Sequence, residues 1–212
     1  MEKLSPLPNF LVNRYNNWKA NTYLKNKNWF KKIAKEQSPK AMVISCCDSR
    51  VHVTSIFGAD EGDFFIHRNI ANLVPPFTPD GDHHGTSAAI EYATKELRVP
   101  HLIVLGHTGC GGIKSGHALH SNNINPDYIF INKWLNILLP AYKNVSKNIS
   151  QKNQIQSLEE ESIKISLTNL FDFPDIKESL ENKTLSIHGL IHDIGSGTLK
   201  YLSPKTKKFE II

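Results

Sequence analysis

Three short, unbroken apolar runs constrain this chain more than any other feature. Ala41-Met-Val-Ile-Ser-Cys46, Asp63-Phe-Phe-Ile-His67 and His101-Leu-Ile-Val-Leu-Gly106 are rich in β-branched and aromatic residues, and they read as buried parallel strands. Between the last two, Thr86 to Leu97 sets Ala89, Ala93 and Leu97 at four-residue spacing, which predicts a helix with one apolar face. Strand, helix and strand in alternation imply an α/β fold, a mostly parallel β-sheet flanked by helices. After Pro126 the pattern predicts helices over Tyr128 to Leu139 and Ser157 to Leu170, joined by a polar Lys/Asn/Ser/Gln loop. Leu185 to His192 and Gly197 to Leu202 read as a closing strand pair.

The first forty residues read as helices. Tyr15, Trp18, Tyr23, Trp29, Phe30 and Ile33 are spread through a lysine- and asparagine-rich background that Pro39 ends. So many aromatics need a surface to cover, either this chain's own core or a second subunit. We expect one domain over 1–212, with a helical arm over 1–38 and an α/β core over 41–203; 212 residues suffice for one core.

Charge and cysteine content narrow the function classes. A net charge of +5 could suggest nucleic acid, but Lys19 to Lys40 and Lys143 to Lys152 carry no recognised binding motif, so no nucleic-acid partner is expected. No apolar stretch approaches the roughly 20 residues of a membrane-spanning helix, and Met1 to Asn28 lacks a signal-peptide pattern. A soluble, cytoplasmic protein is the expectation. Three cysteines, two of them adjacent, make a poor disulfide framework and point to metal binding or catalysis.

In open parallel sheets, ligands gather at the carboxyl ends of the strands. The first strand runs into Cys46-Cys-Asp-Ser-Arg50, and the strand ending at Gly106 runs into His107-Thr-Gly-Cys110-Gly-Gly112. The His-x-x-Cys spacing lets one tight turn aim both ligands at one point, with Gly109, Gly111 and Gly112 allowing close backbone approach. Cys46, His107 and Cys110 together favour one zinc ion per chain, and three protein ligands leave a fourth position open for catalysis. Zinc there would lower the pKa of a bound water to about 7. Asp48 and Arg50 follow Cys46 at steps of two, so an extended segment would project all three side chains the same way. We expect Arg50 to hold Asp48 ionised and oriented, and Asp48 to accept a hydrogen bond from the zinc-bound water.

The remaining histidines and the third cysteine have simpler readings. Cys47 is expected to pack as a small buried hydrophobe. His83, His84, His117 and His120 are expected in exposed loops, and His67 and His188 at strand positions on the edge of the core.

These residues resemble the β-class carbonic anhydrases, whose Cys-x-Asp-Ser-Arg and His-x-x-Cys-Gly patterns are matched at every fixed position. The likeness extends through Gln37-Ser-Pro-Lys, His67-Arg-Asn-Ile-Ala-Asn-Leu-Val-Pro-Pro76, Gly85-Thr-Ser-Ala-Ala-Ile-Glu-Tyr92 and Ser186-Ile-His-Gly189, and it is nearest to the plant-like branch. The resemblance implies reversible hydration of carbon dioxide to bicarbonate by a zinc-bound hydroxide. It places zinc on Cys46, His107 and Cys110, the dyad on Asp48 and Arg50, and substrate contacts on Gln37 and the Gly111 backbone amide. Phe65, Ile70 and Tyr92 would form an apolar pocket completed across a dimer interface, so a homodimer or higher even oligomer is implied. Val43 and His192 stand where regulated members of the family carry a tryptophan and a tyrosine, leaving Arg68 alone of that bicarbonate pocket. A bicarbonate switch of that kind is therefore not expected. The proton carrier is not identified; His83 and His84 are the available guesses.

Two other readings share parts of the pattern. Hydrolases of carbonyl sulfide or carbon disulfide use the same metal site on the same fold, and Gln37 with the plant-like pocket favours carbon dioxide over them. A zinc-stabilised binding protein would have no use for a polar dyad beside an open coordination position. A thiol redox protein would need a better pair than the neighbours Cys46 and Cys47.

Overall fold

A computed structural model of the protein describes residues 4–81, 84–122 and 127–212. It divides into two compact units, Met1–Gln37 and Ser38–Ile212. In the first, α1 (Asn9–Trp18) passes through one wide turn at Lys19–Tyr23 and is followed by α2 (Lys27–Ile33). Phe30 packs its ring at 5.6 Å from Trp18 and 5.2 Å from Tyr23, joining the two helices. Neither helix has a buried residue, and Leu4, Leu7, Phe10 and Trp29 face solvent.

The second unit is built on a six-stranded sheet. Its strands are β1 (Ala41–Cys46), β2 (Phe64–Asn69), β3 (His101–His107), β4 (Ser186–His192), β5 (Leu199–Leu202) and β6 (Phe209–Ile211), in the order β2-β1-β3-β4-β5-β6. The first four are mutually parallel and the last two pair antiparallel. All six residues of β1 are buried, which explains why its sequence is unbroken rather than alternating.

Helices fill the crossovers: α3 (Val53–Phe57), α4 (His84–Glu91), α5 (Gly111–His120), α6 (Ile129–Leu135), α7 (Leu139–Asn144), α8 (Gln151–Phe171) and α9 (Pro174–Glu181). On one face of the sheet, Met42, Ile44, Leu102, Val104 and Ile191 pack against Ile90 of α4, Ile163 and Leu170 of α8, and Ile176 of α9. On the other, Val43, Leu105 and Leu190 meet Val53, Ile56 and Phe57 of α3. Helix α8 lies very close to β3 and β4. A methyl group at Gly106 would stand 2.7 Å from Ile163 Cδ1, and one at Gly189 would stand 2.9 Å from Ile163 Cγ2, so only glycine admits the helix there.

Each strand and helix that periodicity predicts is present, whereas α3, α5, α7 and α9 lie outside the predicted segments. Helix α8 begins at Gln151, earlier than its apolar pattern suggests, because Ser150 caps it by accepting a hydrogen bond from the Asn153 amide. Strand β6 is three residues long and preceded by Lys207 and Lys208, too short to show a period. His117 is buried on α5, with Nε2 2.9 Å from Gln154 Oε1, and His120 is half-buried on the same helix with Nε2 3.2 Å from the Leu135 carbonyl oxygen. Neither lies in an exposed loop, because the apolar face of α5 turns both toward α6 to α8. His84 is exposed at the start of α4, and His83 lies outside the described residues.

Candidate metal centre and catalytic dyad

The two strand ends meet as their sequences imply. Cys46 closes β1 and His107 closes β3, two strands that pair in register from Met42 beside Leu102 to Ser45 beside Leu105. The chain then turns through Gly109, whose φ of +67° is left-handed, and places Cys110 at the N-terminus of α5. The ligand atoms of Cys46, His107 and Cys110 lie within 4.8 Å of one another, and all three residues are buried. They are the only such group of three or more among the described residues.

The geometry fits a tetrahedral ion. Cys46 Sγ and Cys110 Sγ are 3.9 Å apart, against roughly 3.8 Å for two thiolates each about 2.3 Å from one zinc. His107 Nδ1 lies 3.0 Å from the Thr108 carbonyl oxygen, which accepts a hydrogen bond from Nδ1–H and leaves Nε2 with its lone pair free for a metal. Nε2 is buried without a hydrogen-bond partner, as expected of an atom meant for a metal.

Electrostatics prepare the sulfurs. A hydrogen bond from Cys110, the His107 ring and the amides of Asp48 and Ala71 outweigh burial and bring the Cys46 thiol down to about 4. Donating that hydrogen bond to Cys46, together with burial, holds the Cys110 thiol far above its usual range. Burial works to lower the His107 pKa, but Cys46, the Thr108 carbonyl and Asp48 raise it on balance. The Ala71 amide reaches Cys46 because Ala71 and Asn72 adopt left-handed φ values of 64° and 50°. Asn69 braces that turn, donating from Nδ2 to the Leu73 carbonyl at 2.8 Å while its Oδ1 accepts from the Leu73 amide at 2.9 Å.

Beside the ligands stands the carboxylate–guanidinium pair. Arg50 Nε donates to Asp48 Oδ1 at 2.9 Å and Nη2 donates to Asp48 Oδ2 at 2.7 Å, a two-pronged contact, and the Arg50 amide donates to Oδ1 at 3.0 Å. These bonds hold the Asp48 carboxyl well below the usual carboxylate range. Asp48 Oδ2 is 3.9 Å from His107 Nε2, which puts it at the edge of the ligand triangle. The segment is a turn, closed by the Val51 amide on the Asp48 carbonyl at 3.0 Å, and not the extended run that the spacing of two suggested. Asp48 brings Arg50 back by accepting its amide, as short acidic side chains do in turns.

Two further residues support the site from outside the ligand and dyad motifs. Arg68, near the end of β2, donates from Nε to the Cys46 carbonyl at 2.9 Å, and from Nη2 to the carbonyls of Asp48 and Val51, each at 2.8 Å. It fastens the loop that bears a ligand and the dyad. Glu159 of α8 is only 4% exposed, and its Oε1 accepts from the Cys110 amide at 3.0 Å. Burial raises its pKa, against the amides of Cys110 and Gly109, which lower it. Arg68 is one of only four arginines in the chain. Nothing in Leu158-Glu-Glu-Glu161 singled out Glu159 as the buried member.

The other site candidates are placed as follows. Ile70 packs against the turn, since a methyl at Gly112 would lie 2.8 Å from Ile70 Cγ2. It lines an apolar cavity of about 430 Å³ with Cys47, His67, Phe130, Ile131 and Trp134. Phe65 and Tyr92 stack 5.8 Å apart and do not line that cavity. At Gly111 a side chain would meet nothing within 4 Å, so the backbone there faces open space. Gln37 ends the first compact unit, whereas all the residues above belong to the second. Cys47 is exposed at the cavity, not buried, because the chain leaves the sheet immediately after Cys46.

Comparison with known proteins gives one consistent answer. The family model described as carbonic anhydrase matches residues 41–199. The chain is 37% identical to beta carbonic anhydrase 3 of Arabidopsis thaliana over 184 residues, 85% of this chain and 71% of that protein. Among solved structures, the β-carbonic anhydrase CcaA superposes with a TM-score of 0.86 at 26% identity, covering 96% of this chain and 98% of that one. A structure described as one of two tetrameric β-carbonic anhydrases from Sordaria macrospora gives 0.81 at 30% identity, covering 92% and 96%.

Proposed function

The chain belongs to the β-carbonic anhydrase family, and we propose that it catalyses the reversible hydration of carbon dioxide to bicarbonate and a proton, with one zinc held by Cys46, His107 and Cys110. The observation that carries this reading is the convergence of two thiols and a bare imidazole nitrogen beside an ionised Asp48. When bound, zinc supplies a Lewis acid that brings the pKa of water at its open position to about 7, making a nucleophile at neutral pH.

The chain's own groups do the rest. Asp48, kept ionised by Arg50, accepts a hydrogen bond from the attacking water through Oδ2 and turns an oxygen lone pair toward carbon. Ile70 supplies an apolar wall that suits a small nonpolar gas. The open backbone at Gly111 donates its amide to the oxygen that gains charge as bicarbonate forms, assisted by the partly positive N-terminus of α5. Gln37 donates from its carboxamide to a substrate oxygen, and Phe65 and Tyr92 complete the pocket across an even-numbered assembly, the dimer being its smallest form. The exposed apolar residues of α1 and the family's tetrameric members support that assembly. Among the described residues no helix is long and apolar enough to cross a membrane.

The test is stopped-flow CO2 hydration, read with a pH indicator, on protein of known zinc content with Cys110→Ala as control. Fast hydration that depends on zinc and disappears in the control is the expected result. One zinc per chain with turnover of carbonyl sulfide alone would assign the site to the sulfur-substrate hydrolases instead.

A further inference from the structure

The opposite end of β3 carries a pair of imidazoles that the site above does not use. His101 opens β3 and His188 lies within β4; with His101 beside Ser186 and Ile103 beside His188, the two side chains share one face as diagonal neighbours. Their ring centroids are 5.3 Å apart with planes inclined at 52°. His188 Nε2 lies 3.2 Å from His101 Nδ1, and both residues are exposed. Counting about 3.3 Å per residue, His101 stands roughly 20 Å along the strand from His107, and His188, level with Ile103, roughly 13 Å.

Two nitrogens that each bind one ion at about 2.1 Å stand roughly 3.0 to 3.4 Å apart when the angle at the metal is between a right angle and tetrahedral. The observed 3.2 Å therefore serves a shared ion as well as a shared proton. Burial and the facing His101 lower the His188 pKa, favouring the neutral ring that a metal requires. The paired strands fix the two backbones, so the spacing of the rings is set before binding.

We propose that His101 and His188 form a second, surface site for a divalent transition-metal ion of the imidazole-preferring group, Ni²⁺, Cu²⁺ or Zn²⁺, with water completing its coordination. Among the described residues no third His, Cys, Asp or Glu joins them, so the site is bidentate and binds more weakly than the three-ligand centre. It is independent of the reaction proposed above.

The experiment titrates Ni²⁺ into tag-free, zinc-loaded protein at pH 7.5 by calorimetry and follows the two histidine rings by paramagnetic broadening in NMR. One ion per chain is expected, broadening the His101 and His188 signals first. His101→Gln and His188→Gln should each weaken it at least tenfold, with zinc content and CO2 hydration unchanged, whereas His84→Gln should bind as the parent does. Absence of nickel binding in the parent, or binding that survives both glutamine variants, overturns the proposal. So does broadening that falls on other histidines first.

Discussion

Arg50 Nη2 donates to the carbonyl oxygen of Gly109 at 3.1 Å, across 59 positions of sequence, while the same nitrogen holds Asp48 Oδ2. One guanidinium thus ties the turn after β1 to the turn after β3 and fixes the dyad relative to the ligands on both. Lysine has the charge but not the planar fork and cannot make this set of bonds. Arg50→Lys should therefore retain zinc yet lose at least tenfold in kcat for hydration. Metal analysis beside stopped-flow rates checks this, and a variant with full turnover would remove the orienting role.

The depressed pKa of Asp48 fixes the sign of its pH dependence. A carboxylate whose folded pKa lies below its unfolded value of about 3.9 adds stability above that value, and the contribution is lost as pH falls through the folded pKa. Asp48 is therefore ionised across pH 5 to 9 and cannot supply an inflection there. In Asp48→Asn the hydration plateau should drop by about 10²-fold or more, the usual scale for a lost proton-handling group, while the inflection near neutrality stays in place. A pH–rate series would show otherwise if the inflection moved with the substitution.

Arg68 acts on the backbone alone, through the carbonyls of Cys46, Asp48 and Val51. Arg68→Met keeps most of the side-chain length and removes all three bonds. Allowing for solvent at this half-buried position, the loss should be about 2 kcal/mol of stability, seen as a lower urea midpoint. Faster loss of zinc to a chelator should accompany it.

Glu159→Leu removes the acceptor for a buried amide. The orphaned Cys110 N–H should destabilise the fold by about 1–3 kcal/mol and loosen the turn that carries two ligands. Glu159→Gln keeps a carbonyl in place and should recover most of both effects. Urea unfolding and zinc retention distinguish the pair of variants, and equal behaviour of the two would show that the hydrogen bond matters little.

The sequence was most legible where a side chain's identity and its place in a strand carried the information. Strands β1 and β3 announce themselves by continuous apolar runs, and the ligands sit where those runs stop. What it concealed depended on tertiary approach. Glu159 reads as one of three solvated glutamates until α8 is laid behind Cys110. Cys47 reads as a packing residue until the chain is seen to leave the sheet after Cys46. Ala71 gives no sign that it will take a left-handed turn, because the amide it aims there meets a sulfur 25 positions earlier in the chain.

The division of the ligands between two strands bears on how quickly an ion could leave. His107 is held in β3, paired with His192 of β4, and Cys110 follows on the turn into α5, whereas Cys46 ends β1, which is hydrogen-bonded on both sides, to β2 and β3. Drawing Cys46 away from His107 pulls on the pairing of β1 with β3, which runs up to Ser45 beside Leu105, and such openings belong to the slower end of the protein's fluctuations. The lifetime of a bound ion is therefore a clock for the breathing of β1 against β3, and measuring metal exchange would time a motion of the core.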